Sequence, residues 1–378
     1  MAGVDLAASF KSSARALRSS RVNASLLRGA AIDIEADGPT ARLLQTVRER
    51  GARNGRLLLP EDLPGRFAAA MHAIALSRRT ELSMHYPSTG GSGNLHEIWP
   101  VVRDAMVANA PEVISRMTRP ARRSDPVRAA MLLAALAYIG AASDSPVRIF
   151  DVGAGPGFVL AAPYFAQDFF GERVGPPDAS VHLGHPWAVA PDIDHNDIPS
   201  IVSATGCDLS AFNAANPSQV AELLAWASPD VPEELNRVLA ACEAMPQLGI
   251  TVENMAASVW LPRGISWPRT DAATVVWHSD VVLEMSAPER TELATGILGA
   301  AERATDAAPL HVISFEPGGA EDLLYNDPIA AGVRDGSGAI DPHRYELRLN
   351  SWPQRRSALL ATAEPSGQQA HWMGQEHG

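Results

Sequence analysis

One stretch constrains this chain more than any other: Arg148-Ile149-Phe150-Asp151-Val152-Gly153-Ala154-Gly155-Pro156-Gly157-Phe158-Val159-Leu160. It reads as a buried strand, an acidic residue, three glycines alternating with other residues, and the start of a helix. Glycine is needed where a tight turn brings backbone close to a ligand, because a Cβ there would collide with it. A strand, turn and helix in this order predict a parallel α/β sheet with a nucleotide-type ligand at the end of its first strand.

The rest of the chain divides around that turn. From Val147 onward, short β-branched runs alternate with amphipathic helices, the pattern of a parallel sheet with crossover helices. Strands are predicted near 147–152, 200–207, 249–253, 272–278, 309–315, 344–350 and 357–363, about seven in all. Asn216-Pro217-Ser218-Gln219 and Ser286-Ala287-Pro288-Glu289 each pair an N-cap residue with proline in the first turn, and both open helices. Before residue 145 the pattern is helical, with Phe67, Met71, Ile74 and Ala75 forming an apolar stripe after Pro64. Ser124-Asp125-Pro126 starts a wide-faced apolar helix that ends at Gly140. The prediction is an all-helical N-terminal lobe over 1–145 and a Rossmann-like α/β domain over 146–378. A long insertion at about 163–199 interrupts the second. The glycine- and serine-rich stretch from Met84 to Gly93 reads as a connector.

Composition narrows the function. A net charge of −12 argues against a nucleic-acid surface, which needs clustered Lys and Arg to neutralise phosphates. Arg116, Arg119, Arg122, Arg123 and Arg128 do cluster; a solvated face is the default reading and a clamp for an anionic substrate the sharper one. Cys207 and Cys242 are too few for a disulfide framework. The first residues lack a signal-peptide core, and the longest apolar run, Ala129 to Ala142, is short of the roughly 20 residues a spanning helix needs. A cytoplasmic location away from membranes is expected. The insertion holds His182, His185, Asp192, Asp194 and His195, but without ligand spacing, so no metal is assigned.

The glycine spacing separates cofactors. A dinucleotide fingerprint would place its third glycine at Phe158; here it is Gly157. Asp151-Val152-Gly153-Ala154-Gly155-Pro156-Gly157 resembles the first motif of class I S-adenosylmethionine-dependent methyltransferases. That resemblance implies that Gly153, Gly155 and Gly157 lie against the amino-acid part of the cofactor while Asp151 orders the loop. It implies an acid gripping the ribose after the second strand, Asp208 in Gly206-Cys207-Asp208-Leu209, with Glu172 as the rival at more usual spacing. Glu253 and Asn254 fall where the superfamily contacts adenine.

Several separated pieces also resemble the uncharacterised bacterial family known as domain of unknown function 2332. They are His85-Tyr86-Pro87-Ser88, the arginines before the long helix, the glycine turn, Gly206-Cys207-Asp208-Leu209, Val276-Trp277-His278-Ser279 and His371-Trp372. Two departures stand out. Arg123-Ser124-Asp125 replaces a threonine-asparagine-glutamate stretch, and Gly155 stands where relatives tend to carry serine.

For methyl transfer to a protonated nucleophile a base helps. His278, at the end of a central strand, is the candidate; Glu316 ends the next strand and would orient a base or the substrate, and Tyr86 and His85 would enter from the helical lobe. No nucleophile elbow or phosphate-binding lysine loop occurs. The expected activity is methylation of a small molecule. The alternatives are a non-catalytic ligand-binding protein of the same fold, or a non-methylating enzyme using the same pocket.

Overall fold

The computed structural model describes residues 2–17, 19–53, 58–95, 98–169, 172–210, 212–324 and 340–377. The chain forms two compact units, one of Met1–Arg123 with Asn216–Leu239, the other of Ser124–Ala215 with Ala240–Gly378.

The first unit is helical among its described residues. Its helices are α1 (Ala2–Ala16), α2 (Arg21–Glu35), α3 (Pro39–Arg53), α4 (Leu63–Leu76), α5 (Ile98–Ala108) and α6 (Ala110–Met117). Phe67, Met71, Ile74 and Ala75, the stripe expected on α4, are buried in one core with Phe10, Leu26, Leu44 and Val102.

The boundary falls at Arg123, not at 145, and α7 (Arg128–Gly140) goes with the second unit. This helix is apolar almost all round, and a helix of that kind must be covered on every side. Gly140 lets it approach the chain closely: a Cβ there would lie 1.7 Å from the Asp197 carbonyl oxygen. It starts slightly later than Ser124-Asp125-Pro126 implied. Asp125 instead accepts the Val127 amide at 3.0 Å and closes a preceding turn.

The second unit is built on β1 (Val147–Val152), β2 (Gln167–Phe169), β3 (Glu172–Val174), β4 (Trp187–Val189) and β5 (Ile201–Asp208). Two helices follow, α8 (Pro217–Leu224) and α9 (Pro232–Leu248). The 216–239 segment belongs to the helical unit, a return the sequence division at 145 missed. Its polar ties explain why: Asp230 takes hydrogen bonds from Ser20 at 2.5 Å and the Val22 amide at 2.9 Å, and Glu222 pairs with Arg119 at 3.1 Å. The chain then runs through β6 (Val252–Asn254), α10 (Ala257–Ile265), β7 (Ala273–Ser279), α11 (Ala287–Ala301), β8 (Leu310–Gly318), β9 (Asp341–Trp352), β10 (Arg356–Ala363) and β11 (Ala370–His377). Ser286 and Glu289 close the expected capping box on α11.

The main sheet has nine strands in the order β4-β11-β10-β9-β8-β7-β1-β5-β6, and β2 pairs with β3 separately. Strands β6, β5, β1, β7 and β8 are parallel. Their order is that of a doubly wound α/β sheet, with β1 and β7 flanking the point where the winding reverses. Beyond β8 the chain turns into an antiparallel meander, β9, β10 and β11. The α/β class and the helical N-terminal region match expectation. The strand count of about seven falls short because β11 and the three-residue β4 carry little apolar alternation.

No described helix is long and apolar enough to cross a membrane.

Candidate functional site

In open α/β sheets, ligands collect in the crevice at the carboxyl ends of strands where the winding reverses. Here that edge lies after Val152, which pairs with Cys207 of β5 on one side and His278 of β7 on the other. The glycine turn and His278 therefore meet at the switch point.

The turn itself is built on left-handed backbone: φ is 74° at Gly153, 53° at Gly155 and 80° at Gly157. At Gly153 a Cβ would also lie 2.0 Å from Val281 Cγ1. The amides of Gly153 and Ala154 bond to the Cys207 carbonyl at 2.9 and 3.0 Å, pinning the turn to β5. The expected helix does not follow. Residues 158–161 form turns, succeeded by a single 3-10 turn, Ala162–Tyr164. Pro163 supplies the reason, since inside a helix it would lack the amide hydrogen and crowd the carbonyl four residues earlier. The turn thus has no helix N-terminus behind it.

Asp208 reaches back over the turn. Its Oδ2 accepts the Gly155 amide at 3.0 Å and its Oδ1 accepts the Ser210 amide at 2.8 Å. Glu172 lies exposed in the separate β2–β3 hairpin, so Asp208 is the acid at the turn. Asn254 pairs in register with Asp208. With its amide nitrogen turned toward β5, it donates to the carbonyls of Asp208 at 3.3 Å and Leu209 at 2.9 Å. Asp151 is 2% exposed, and its Oδ2 has no hydrogen-bond partner. Burial, reinforced by the negative charge of Asp208, pushes its carboxyl up to about 8. It is therefore largely protonated at neutral pH. Burial also raises the Cys207 thiol to about 12.

His278 is fully enclosed. Its Nδ1 lies 2.9 Å from Glu316 Oε1, which also accepts the Val281 amide at 3.1 Å. Nε2 of His278 and Oε2 of Glu316 have no protein partner. A carboxylate at Nδ1 fixes a hydrogen there and turns Nε2 toward any proton transfer. Sequence reasoning anticipated this pair at two strand ends; β7 and β8 are adjacent, so the pairing follows from topology.

Beside it lies a buried network that the sequence did not reveal. Arg128 donates to Ser279 Oγ at 2.8 Å, Asp280 Oδ2 at 2.5 Å and the Pro365 carbonyl at 2.7 Å. Tyr345 donates to the other Asp280 oxygen. The guanidinium also stacks over Phe315 and Tyr345, at 5.7 and 5.6 Å from the ring centres. Asp280 holds a left-handed φ of 59°. The one legible signal was an arginine just inside an otherwise apolar helix.

The other arginines of the cluster are ion-paired. Arg116 pairs with Glu112, Arg119 and Arg122 with Glu222, and Arg123 with Asp62. Burial alone would raise the Asp62 carboxyl, but Arg123 and Arg66 beside it hold it below the ordinary range. Tyr86 sits in the core of the helical unit, stacked on His72 with ring centres 5.6 Å apart. Burial first, then the charge of Asp230, raises its hydroxyl far above the usual phenol value, so it can donate a hydrogen bond but not accept a proton. His85, in the same unit, has a buried Nδ1 without a partner. In the insertion, His182 contacts Arg173, His185 pairs with Asp168 at 3.3 Å and His195 with Asp194 at 3.7 Å. Among the described residues no three His, Cys, Asp or Glu side chains converge to hold a metal.

The sequence matches the family model described as an uncharacterized protein conserved in bacteria, DUF2332, over residues 7–372. The chain belongs to DUF2332. No curated protein matches the sequence. Among solved structures, it is similar to Streptomyces venezuelae DesVI, with 12% identity, 68% of this chain and 78% of that chain covered, and a TM-score of 0.24. A likeness of that extent adds no argument to the geometry of the turn.

Proposed function

We propose that this DUF2332 member binds S-adenosylmethionine at the glycine turn and methylates a small molecule. The observation that carries the reading is the turn at the switch point, with Asp208 bonded to Gly155. The donor set suits such a cofactor: the left-handed Gly155 leaves backbone bare where a Cβ would meet Ser124 Oγ alone, at 3.1 Å, and the Asp208 carboxylate retains lone pairs for hydroxyls. The bound cofactor would supply an electrophilic methyl group. Gly153, Gly155 and Gly157 would hold its amino-acid part, Asp208 its ribose and Asn254 its base. His278, fixed by Glu316 at Nδ1, would take the acceptor's proton at Nε2. Alignment and exclusion of water would do the remaining work. The free, buried cysteines suit a reducing, cytoplasmic compartment.

A second reading is a ligand-binding module without turnover. The complete enclosure of His278 and the occupation of both Asp208 oxygens by backbone amides favour it. Incubating the protein with S-adenosylmethionine and small-molecule extract, and following the demethylated product, tests the first reading. Product formation that falls at least tenfold in His278→Ala is expected. Cofactor binding without product would favour the second.

A further inference from the structure

The crossover from β1 to β5 is unusual for a parallel pair. Such connections are normally helical and lay a helix on the sheet. Between Gly153 and Ser200 the described residues contain no α-helix. The sheet is short here too: β6 pairs only with Gly206–Asp208, so among the described strands Ile201 to Thr205 have no neighbour on that side. A cavity of about 620 Å³ lies at this place, lined among others by Leu133, Leu160, Ile201, Ala204, Thr205 and Ile250. Its described lining holds no charged side chain; the polar side chains are Tyr164, Gln167, Thr205 and Thr251.

We propose that this cavity is a second ligand site, for a neutral, largely apolar small molecule carrying a hydroxyl group. The volume falls in the range of small-molecule sites, roughly 300–1,000 Å³. The absence of charge in the lining selects the class, because a charged group taken out of water without a partner is strongly disfavoured. The same absence excludes a zwitterionic sulfonium cofactor. The cavity adjoins the glycine turn, since Ile250 of its lining lies 3.1 Å from where a Gly157 Cβ would stand, but its described lining contains none of residues 153–157. The unpaired edge of β5 and the threonine hydroxyls supply partners for one polar group.

Isothermal titration of the full chain with 2-naphthol, and with 2-naphthoate as its charged counterpart, tests this. The wild type should bind 2-naphthol saturably, and 2-naphthoate at least about tenfold more weakly. Ala204→Phe should abolish binding by filling the cavity. If that variant does not fold, as read by circular dichroism, Thr205→Trp at the exposed rim should do the same. Saturating S-adenosylhomocysteine should leave the 2-naphthol affinity unchanged, whether or not it binds at the turn. No 2-naphthol binding by the wild type, equal affinity for the two probes, displacement by S-adenosylhomocysteine, or full binding by a folded cavity-filled variant would each overturn the proposal.

Discussion

Asp151 is held in its neutral form by burial, with Asp208 nearby adding to the effect, and this ties both stability and binding to pH. Its folded carboxyl lies near 8 against an ordinary 3.8, so between those values the folded chain holds a proton that the unfolded chain has lost. Linkage then makes stability fall as pH rises through that window, and level off above it. Asp151→Asn, which cannot ionise, should melt with less pH dependence between 5 and 8, and at pH 8 should be more stable than wild type. Thermal unfolding across that range checks both. A cationic ligand at the turn favours the ionised carboxylate, so its affinity should rise with pH up to about 8. At Gly153, alanine must adopt a φ of 74° and meet Val281. Gly153→Ala should cost about 3 kcal/mol in urea unfolding.

At the scale of elements, Arg128 is the fastener that joins α7, β7 and β9 inside the second unit. Removing one partner of a buried ion pair leaves the other charge uncompensated, at a cost of about 3–5 kcal/mol. Arg128→Met should show that loss in urea unfolding. In the Arg128→Met/Asp280→Asn double variant the combined loss should be smaller than the sum of the two single losses, since neither charge then stands alone; asparagine also tolerates the left-handed φ. At this scale the sequence was legible where the period was strong. Parallel strands β1, β5, β7 and β8, and helices α8 and α11 with their caps, lie within a few residues of where their patterns place them. It was least legible where one residue overrides the pattern. Phe158-Val159-Leu160 looks like a helix start, but Pro163 stops it within a turn. β11, with Gly374 among polar residues, carries no strand signal and is recruited by pairing with β10. Pairings such as Arg128 with Asp280, 152 residues apart, have no local signature at all.

For the whole molecule, the sequence showed two lobes but misplaced the division. The hydrophobic face of α7 identifies it as buried without saying against what, and the return of 216–239 to the helical unit rests on polar ties to Ser20, Val22 and Arg119. The placement of the candidate residues at strand ends was legible, because glycines and acids there follow from how a parallel sheet is built. Register brings Asp208 to the turn, where it accepts the Gly155 amide, and leaves Glu172 in the separate β2–β3 hairpin. The proposed function stands on S-adenosylmethionine binding at the glycine turn held by Asp208. Isothermal titration of the wild type and of Asp208→Ala with S-adenosylmethionine and S-adenosylhomocysteine tests it most directly. One-to-one binding of both by the wild type, at least tenfold weaker in the variant, is expected; no heat of binding from either ligand with folded wild-type protein would rule the turn out as the cofactor site.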